Sequence, residues 1–444
     1  MSDPKDWLYW FRHSSPYINA HRGRTVVLTL SGEALAHDNL INIIHDITLL
    51  ASLGVRLVVV YGARPQIQER LQAAGRDSHY HGGLRVTAED DLPSVLEAVG
   101  RLRSLLESQL SMGLVNSPMH GARIRVCSGN LVTARPVGVL DGVDLAYTGR
   151  VRSIDREAIN NLLAQGQIVL LPPLGYSPTG DVFNLSYEDV ASHAAASLSA
   201  EKLIITTGRN GIPDASGELL RELNLHQAQA LLKTGELQQD DGDVLGAACR
   251  ACAAGVRRAH IISYQEDGAL LQELFTRDGL GTLVSDDDYE HVRQARAEDI
   301  SGIQELIQPL EEQGVLVRRP RELIETEIDR FVVDERDGTV VGCAALYRFP
   351  GEQTGELACF AVSDHYRRSG RGDRILAVVE RQARAEGLQQ LFVLTTQTDH
   401  WFRERGFAPV SAEELPAQKR AGYRQERKSK VLMKPLSGGR GVPD

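Results

Sequence analysis

No apolar run in the 444 residues approaches the roughly 20 that a membrane-spanning helix needs. The opening stretch, MSDPKDWLYWFRH, lacks the long apolar segment of a signal peptide. The chain is therefore expected to be cytoplasmic, with no membrane partner. Cysteine is scarce: Cys127, Cys249, Cys252, Cys343 and Cys359 are an odd, sparse set. That excludes a disulfide framework and suits a reducing compartment. Cys249 and Cys252 form a C-x-x-C, but no second ligand pair accompanies them, so they read as small buried thiols and no metal is expected. Positive charge is also short. Lys and Arg number 49 against 59 Asp and Glu, a net charge of −10. That argues against a general nucleic-acid partner, since phosphate contacts need surplus cations, but leaves room for a basic pocket holding a small anion. The phosphate loop G-x-x-x-x-G-K-[ST] occurs nowhere.

What is present has the balance of a globular protein, 42% apolar and 24% charged. The length suggests two domains or three. Through about residue 280, β-branched runs such as TVVLTL (25–30), RLVVVYG (56–62), QIVLLP, KLIIT and AHIIS alternate with helical spacing, as over 37–53. Strands apolar on both faces and separated by helices predict a parallel sheet covered on both sides. The polar segment around VSDDDYEH (284–291) reads as a linker. After it the pattern restarts: a short strand at 292–296, an amphipathic helix, and the hairpin FVVDERDGTVVGCAAL with Asp337-Gly338 in its turn. The strand 355–362, a basic glycine loop, a helix, the strand 391–396 and a last strand near 430–433 follow.

The strongest local signal is FAVSDHYRRSGRGDRILAVVERQAR. A strand ending at Val362 leads through Arg367-Arg368-Ser369-Gly370-Arg371-Gly372 into a helix. Free amides and the helix dipole there favour an anion. Gly370 and Gly372 allow close backbone approach, and Arg367, Arg368 and Arg371 add charge suited to a pyrophosphate. This R-x-x-G-x-G loop, with WFRERGF (401–407) downstream, resembles the GNAT-type acyltransferase superfamily. The resemblance implies that Cys359, Phe360, Ala361 and Val362 hold the pantetheine and acetyl carbonyl of acetyl-CoA, and that residues 367–372 hold its pyrophosphate.

The front half resembles the amino-acid kinase family in TVVLTLSGEAL (25–35), LVVVYGARPQI (57–67), HGGLRVT (81–87), FNLSYEDVA (183–191) and ELFTRDGLGT (273–282). The departures are informative. Thr29-Leu30-Ser31-Gly32 replaces the K-x-G-G of such kinases, no second lysine appears around Asp241–Gly246, and N-x-N has become Asn184-Leu185-Ser186. Phosphoryl transfer depends on such charges, so kinase activity is not expected. A kinase-like domain without its lysines, fused to a GNAT-type domain, resembles the bacterial N-acetylglutamate synthase family. YGARPQI, SYQEDGALLQELF, EEQGVLVRRPRELIE, WFRERGF and ERKSKVLM carry that resemblance.

The expected fold class is α/β. A three-layer α/β/α kinase-like domain with a mainly parallel sheet (1–284) is followed by a linker (285–291) and an α+β GNAT-type domain with a mixed sheet (292–444). The resemblance implies acetyl transfer from acetyl-CoA to L-glutamate, feedback inhibition by L-arginine, and a homo-oligomer, a hexamer. Glu356 is implied as general base, acting through water. Thr395 is the candidate proton donor to the thiolate, because Trp401-Phe402 occupies the place where many such enzymes carry a tyrosine. Two carboxylates on the acceptor call for two guanidinium groups. Arg319 and Arg427 are implied, together with Leu316. Arg318 and Lys428 adjoin the two arginines, and a one-residue shift exchanges the roles. For arginine, the resemblance implies Glu273 with Gly281, and Tyr17 stacking on the guanidinium. An acetyltransferase for another amine, a small-molecule kinase and a non-catalytic arginine sensor remain as alternatives.

Overall fold

The structure is a computed structural model that describes residues 4–112, 119–276, 279–285, 292–336, 339–363, 370–421 and 429–436. It forms two compact units, Met1–Asp288 and Tyr289–Asp444.

The front unit is built on an eight-stranded sheet in the order Glu222–Asn224, Thr282–Ser285, Arg258–Ser263, Lys202–Thr207, Thr25–Leu30, Arg56–Tyr61, Ile168–Leu171 and Val126–Cys127. Its neighbours run parallel except for Arg258–Ser263 against Thr282–Ser285. The strands read as unbroken apolar runs because each face meets helices. Val27, Val58 and Val60 enter one core with the helices Tyr187–Ser197 and Gln239–Ala253. Val26, Leu57 and Val59 enter the other with Leu40–Ser52 and Leu92–Leu110. Burying each such side chain contributes roughly 1.5–3 kcal/mol. The predicted three layers and mainly parallel sheet are those observed. Ser285, read as the first linker residue, still belongs to the sheet, registered on Arg258 and Asn224. The rest of that segment, 286–291, lies outside the described residues, as does the hairpin turn at Asp337-Gly338. Cys249 and Cys252 are buried, unbridged thiols. Among the described residues, no cluster of three or more His, Cys, Asp or Glu could hold a metal ion, and no helix is long and apolar enough to cross a membrane.

The back unit is labelled here in chain order: β1 (Val292–Gln294), α1 (Ile300–Glu312), α2 (Arg321–Thr326), β2 (Phe331–Arg336), β3 (Thr339–Phe349), β4 (Thr354–Val362), α3 (Arg371–Ala385), β5 (Gln390–Thr395), α4 (Asp399–Arg403), β6 (Ala408–Pro409), α5 (Ala417–Ala421) and β7 (Lys430–Pro435). The sheet order is β1-β2-β3-β4-β5-β7-β6. It is mixed: β4 and β5, joined through α3, run parallel, and the other pairs are antiparallel. In α3, Ile375, Leu376, Val379 and Ala383 recur at helical spacing and pack on Leu346, Leu357 and Val393. In α1, Ile300, Ile303 and Ile307 cover the opposite face with Phe331, Val333 and Ala345.

Candidate active site

The centre of the site is an irregularity in β4. Against β3, Cys343 is registered on Ala361 but Ala345 on Ala358, so β4 spends one residue more than its partner. That is a β-bulge. Cys359 carries it, with φ at +49°. The extra residue resets the alternation of side chains: Leu357, Phe360 and Val362 face α3, while Cys359 and Ala361 face α1. On its other edge, β4 pairs with β5 only as far as Leu357 on Val393. Beyond that point the two strands are not paired, and residues 358–362 of β4 are bonded to β3 alone among the described strands.

The first turn of α3 follows. Gly370 enters it at φ +74°, in the left-handed region. Arg371 is almost wholly buried, and its Nη1 lies 2.9 and 3.0 Å from the carboxylate oxygens of the equally buried Asp334. The guanidinium expected to face a pyrophosphate thus turns into the protein, because a buried Asp334 needs a counter-charge. A Cβ on Gly372 would lie 2.8 Å from Trp401 Cζ2, so the ring packs directly on this turn. Arg367 and Arg368 lie outside the described residues.

Glu356, on β4, is registered on Tyr347 of β3 and Phe392 of β5. It is buried, and its Oε1 lies 2.6 Å from Nζ of Lys419 on α5. Arg319 reaches the same face. Its main-chain N–H donates to Glu311 Oε1 (2.8 Å), and its Nε lies 3.4 Å from Tyr347 Oη. Tyr347 donates to Glu327 Oε2 (2.6 Å), and Arg330 donates to Glu327 Oε1 (2.9 Å). Burial works most strongly against the charge on Arg319, but Cys359, Tyr347 and Glu356 together hold its pKa above the ordinary value. Leu316 packs at the edge of the same core. Burial pushes the Cys359 thiol up to about 11, despite Arg319, and pushes Cys343 up as well. Both stay protonated near neutrality and are poor nucleophiles. That disfavours an acetyl-cysteine intermediate and favours direct transfer. Arg427 lies outside the described residues.

Thr395 ends β5. It stands three residues beyond Phe392, the partner of Glu356, so its side chain lies on the opposite face of the sheet from Glu356. Its Oγ accepts from the N–H groups of Gln397 (3.3 Å) and Thr398 (3.0 Å). The hydroxyl closes the turn into α4, and the structure does not bring it together with Glu356.

In the front unit, Glu273 and Gly281 do meet. Glu273 is buried, with Oε1 2.5 Å from His260 Nδ1 and Oε2 accepting from Leu280 N–H (2.7 Å) and Gly281 N–H (3.3 Å). Burial opposes its charge, yet His260 and the two amides hold its pKa down to about 2. Little acceptor capacity remains on this carboxylate for a guanidinium. A Cβ on Gly281 would sit 1.9 Å from the carbonyl oxygen of Ile261, so only glycine fits. Tyr17 packs on the core that holds Leu274 and Phe275, at the next residues of the same short helix, Ala269–Phe275. His21, on the helix of Tyr17, lies 2.9 Å from the Leu274 carbonyl through Nε2.

Residues 24–263 match the amino acid kinase family, and residues 300–407 match the acetyltransferase (GNAT) family. The amino-acid acetyltransferases of Ectopseudomonas mendocina and Pseudomonas fluorescens are each 55% identical over 432 residues, covering 97% of this chain and 100% of theirs. The chain belongs to the amino-acid acetyltransferase family. A crystal structure of N-acetylglutamate synthase from Neisseria gonorrhoeae, complexed with coenzyme A and L-arginine, is similar with a TM-score of 0.82 and 39% identity, over 97% of this chain and 99% of that one. The same enzyme complexed with coenzyme A and N-acetyl-glutamate gives a TM-score of 0.63 at 40% identity and the same coverage.

As an amino-acid acetyltransferase, the chain uses acetyl-CoA as its acetyl donor. Three partners at this site escaped the sequence reading. Lys419 sits 63 positions after Glu356, in a segment with no motif of its own. Asp334 reads as one of several acids in FVVDERDG. Arg405, inside WFRERGF, pairs with Asp373 at 2.5 and 3.1 Å. A charged residue that alternation places on the core side of a strand, as with Asp334, was the one usable signal, since such a residue demands a buried partner.

Proposed function

We propose that this chain transfers the acetyl group of acetyl-CoA to the α-amine of L-glutamate, giving N-acetyl-L-glutamate and CoA, the first step of arginine biosynthesis. The observation that carries the reading is Glu356, a buried carboxylate at the point where β4 leaves β5, with Arg319 and Lys419 around it. The first turn of α3 takes the diphosphate on main-chain N–H groups of residues 370–373, aided by Arg367 and Arg368. The thioester lies along Cys359–Val362, where the bulge turns amides towards its carbonyl and stabilises the developing oxyanion. Arg319, with Leu316 beside it, and Arg427 hold the two carboxylates of glutamate.

Glutamate arrives as an ammonium ion. Glu356 takes one proton through water, the amine attacks, the C–N bond forms, and the C–S bond breaks. Lys419 Nζ, 2.6 Å from Glu356 Oε1, fixes the position of that carboxylate. The attacking nitrogen loses its second proton to water, and the departing thiolate takes a proton from that water.

The front unit, residues 1–284, is the regulatory domain, binding L-arginine near Tyr17, Glu273 and Gly281. Residues 292–444 are catalytic. A hexameric homo-oligomer in the cytoplasm completes the reading, drawn from the family resemblance. The test is CoA release from acetyl-CoA with a panel of amino acids, with and without arginine, for wild type and Glu356→Gln. Glutamate-dependent release is expected to fall at least about 100-fold in the variant, with acetyl-CoA binding retained, and arginine is expected to inhibit the wild type. An unchanged rate in Glu356→Gln removes the base, and a preference for another amine removes the substrate.

A further inference from the structure

The first turn of α3 carries one acid, Asp373, at the helix end assigned above to the coenzyme's diphosphate. In the free protein that carboxylate suits the positive end of the helix dipole. Beside a bound polyanion it is a like charge at close range. Arg405 answers it with a fork: Nε lies 2.5 Å from Asp373 Oδ1 and Nη2 3.1 Å from Oδ2. The guanidinium is itself fixed. It lies 3.9 Å from the centroid of the Trp401 ring, and Nη1 donates to the Trp401 carbonyl (2.9 Å) and reaches Glu404 Oε2 (3.2 Å). Trp401 in turn packs on Gly372 and lies 5.2 Å, centroid to centroid, from Phe360 of β4. The Arg405 side chain is 23% exposed, whereas that of Asp373 is 53% exposed. A pair this open adds little to stability, yet it is held by aromatic packing against the first turn of α3.

We propose that Arg405 is a positioning and charge-compensating residue for the coenzyme: it neutralises Asp373, so that the first turn of α3 accepts a diphosphate. The proposal rests on the assignment of that turn to the diphosphate. Arg405 touches neither the thioester nor the acceptor, so it acts on donor affinity alone.

The test is steady-state kinetics on the full chain, each substrate varied in turn with the other saturating. It compares acetyl-CoA with S-acetylpantetheine, which has the thioester but no diphosphate. Arg405→Met keeps an unbranched stem against Trp401 and removes the charge. The KM for acetyl-CoA is expected to rise about tenfold, equivalent to about 1.4 kcal/mol, and the rise should shrink in roughly 1 M salt, where screening acts within about 3 Å. The KM for glutamate and kcat/KM for S-acetylpantetheine should stay within about twofold of wild type. Arg405→Lys, which keeps the charge, should recover most of the lost affinity. Adding Asp373→Asn to Arg405→Met should return the KM for acetyl-CoA to within about twofold of wild type. A double variant as weak as the single one, or an equal loss with S-acetylpantetheine, overturns the proposal and leaves Arg405 as a packing residue of α4. Gly372→Ala separates the proposal from the assignment beneath it, because a methyl pressed against Trp401 distorts the turn. If that variant binds acetyl-CoA normally while its melting temperature shows the distortion, the diphosphate lies elsewhere. If it binds weakly while the Arg405 cycle fails, only the proposal falls.

Discussion

Asp46 shows how much a single side chain can hide in a sequence. It reads as an ordinary polar position in a helical run, yet it is buried in the helix Leu40–Ser52. Burial first, and the nearby charge of Asp267 second, push its carboxyl up to about 7. A raised pKa means that the folded state holds the proton more tightly than the unfolded chain does. The stability it contributes is full below about 3.8 and is lost as pH rises through about 7. Asp46→Asn keeps the shape and removes the titration. Below about pH 4 the variant and wild type should melt alike, the gap should widen between pH 4 and 7, and it should level off near roughly 2 kcal/mol after allowance for partial solvent screening. Denaturant melts at a series of pH values check this, and a gap independent of pH would show that Asp46 is not the titrating group. At this scale the sequence reading named Glu356 and Arg319 through their family pattern. It named none of their partners, because ion pairs such as Glu356–Lys419 and Arg371–Asp334 join distant segments.

At the scale of the element, the decisive feature is the bulge in β4. The segment GELACFAV reads as an unbroken strand, with no glycine or proline to mark where the alternation slips. Only pairing with β3 reveals the extra residue, so the strand was legible and the slip in its register was not. Cys359 holds φ at +49°, a region in which β-branched residues are strained by their crowded Cβ. Cys359→Val should cost about 1–3 kcal/mol in stability and, by pulling the bulge towards regular pairing, lower kcat/KM for acetyl-CoA by at least about tenfold. Cys359→Gly relieves the backbone and should keep most of the activity. If valine and glycine behave alike in kinetics and melting, the positive φ is not what shapes the acyl site. The first turn of α3 is the converse case. Its glycines and basic residues were legible, but the side chains of Arg371 and Asp373 are committed to Asp334 and Arg405, and Trp401 packs on Gly372 between them.

For the whole molecule, periodicity revealed the two-part architecture, because strands apolar on both faces and amphipathic helices leave few other ways to bury their surfaces. Each unit closes its own cores: two in the front unit, one on either face of the large sheet, and two main ones in the back unit, on either side of β3 and β4. A chain with separate cores is expected to unfold in more than one step. Scanning calorimetry should therefore resolve two transitions, and the one that Asp46→Asn raises at pH 8 identifies the front unit. Coenzyme A should raise the other, because a ligand that binds only the folded state stabilises it by RT ln(1 + [L]/Kd), about 2.7 kcal/mol at 100 times Kd. For a domain of this size that is a rise of several degrees. If coenzyme A instead moves the transition marked by Asp46→Asn and leaves its companion in place, the coenzyme lies in the front unit, and the unpaired end of β4 with the first turn of α3 is not its site.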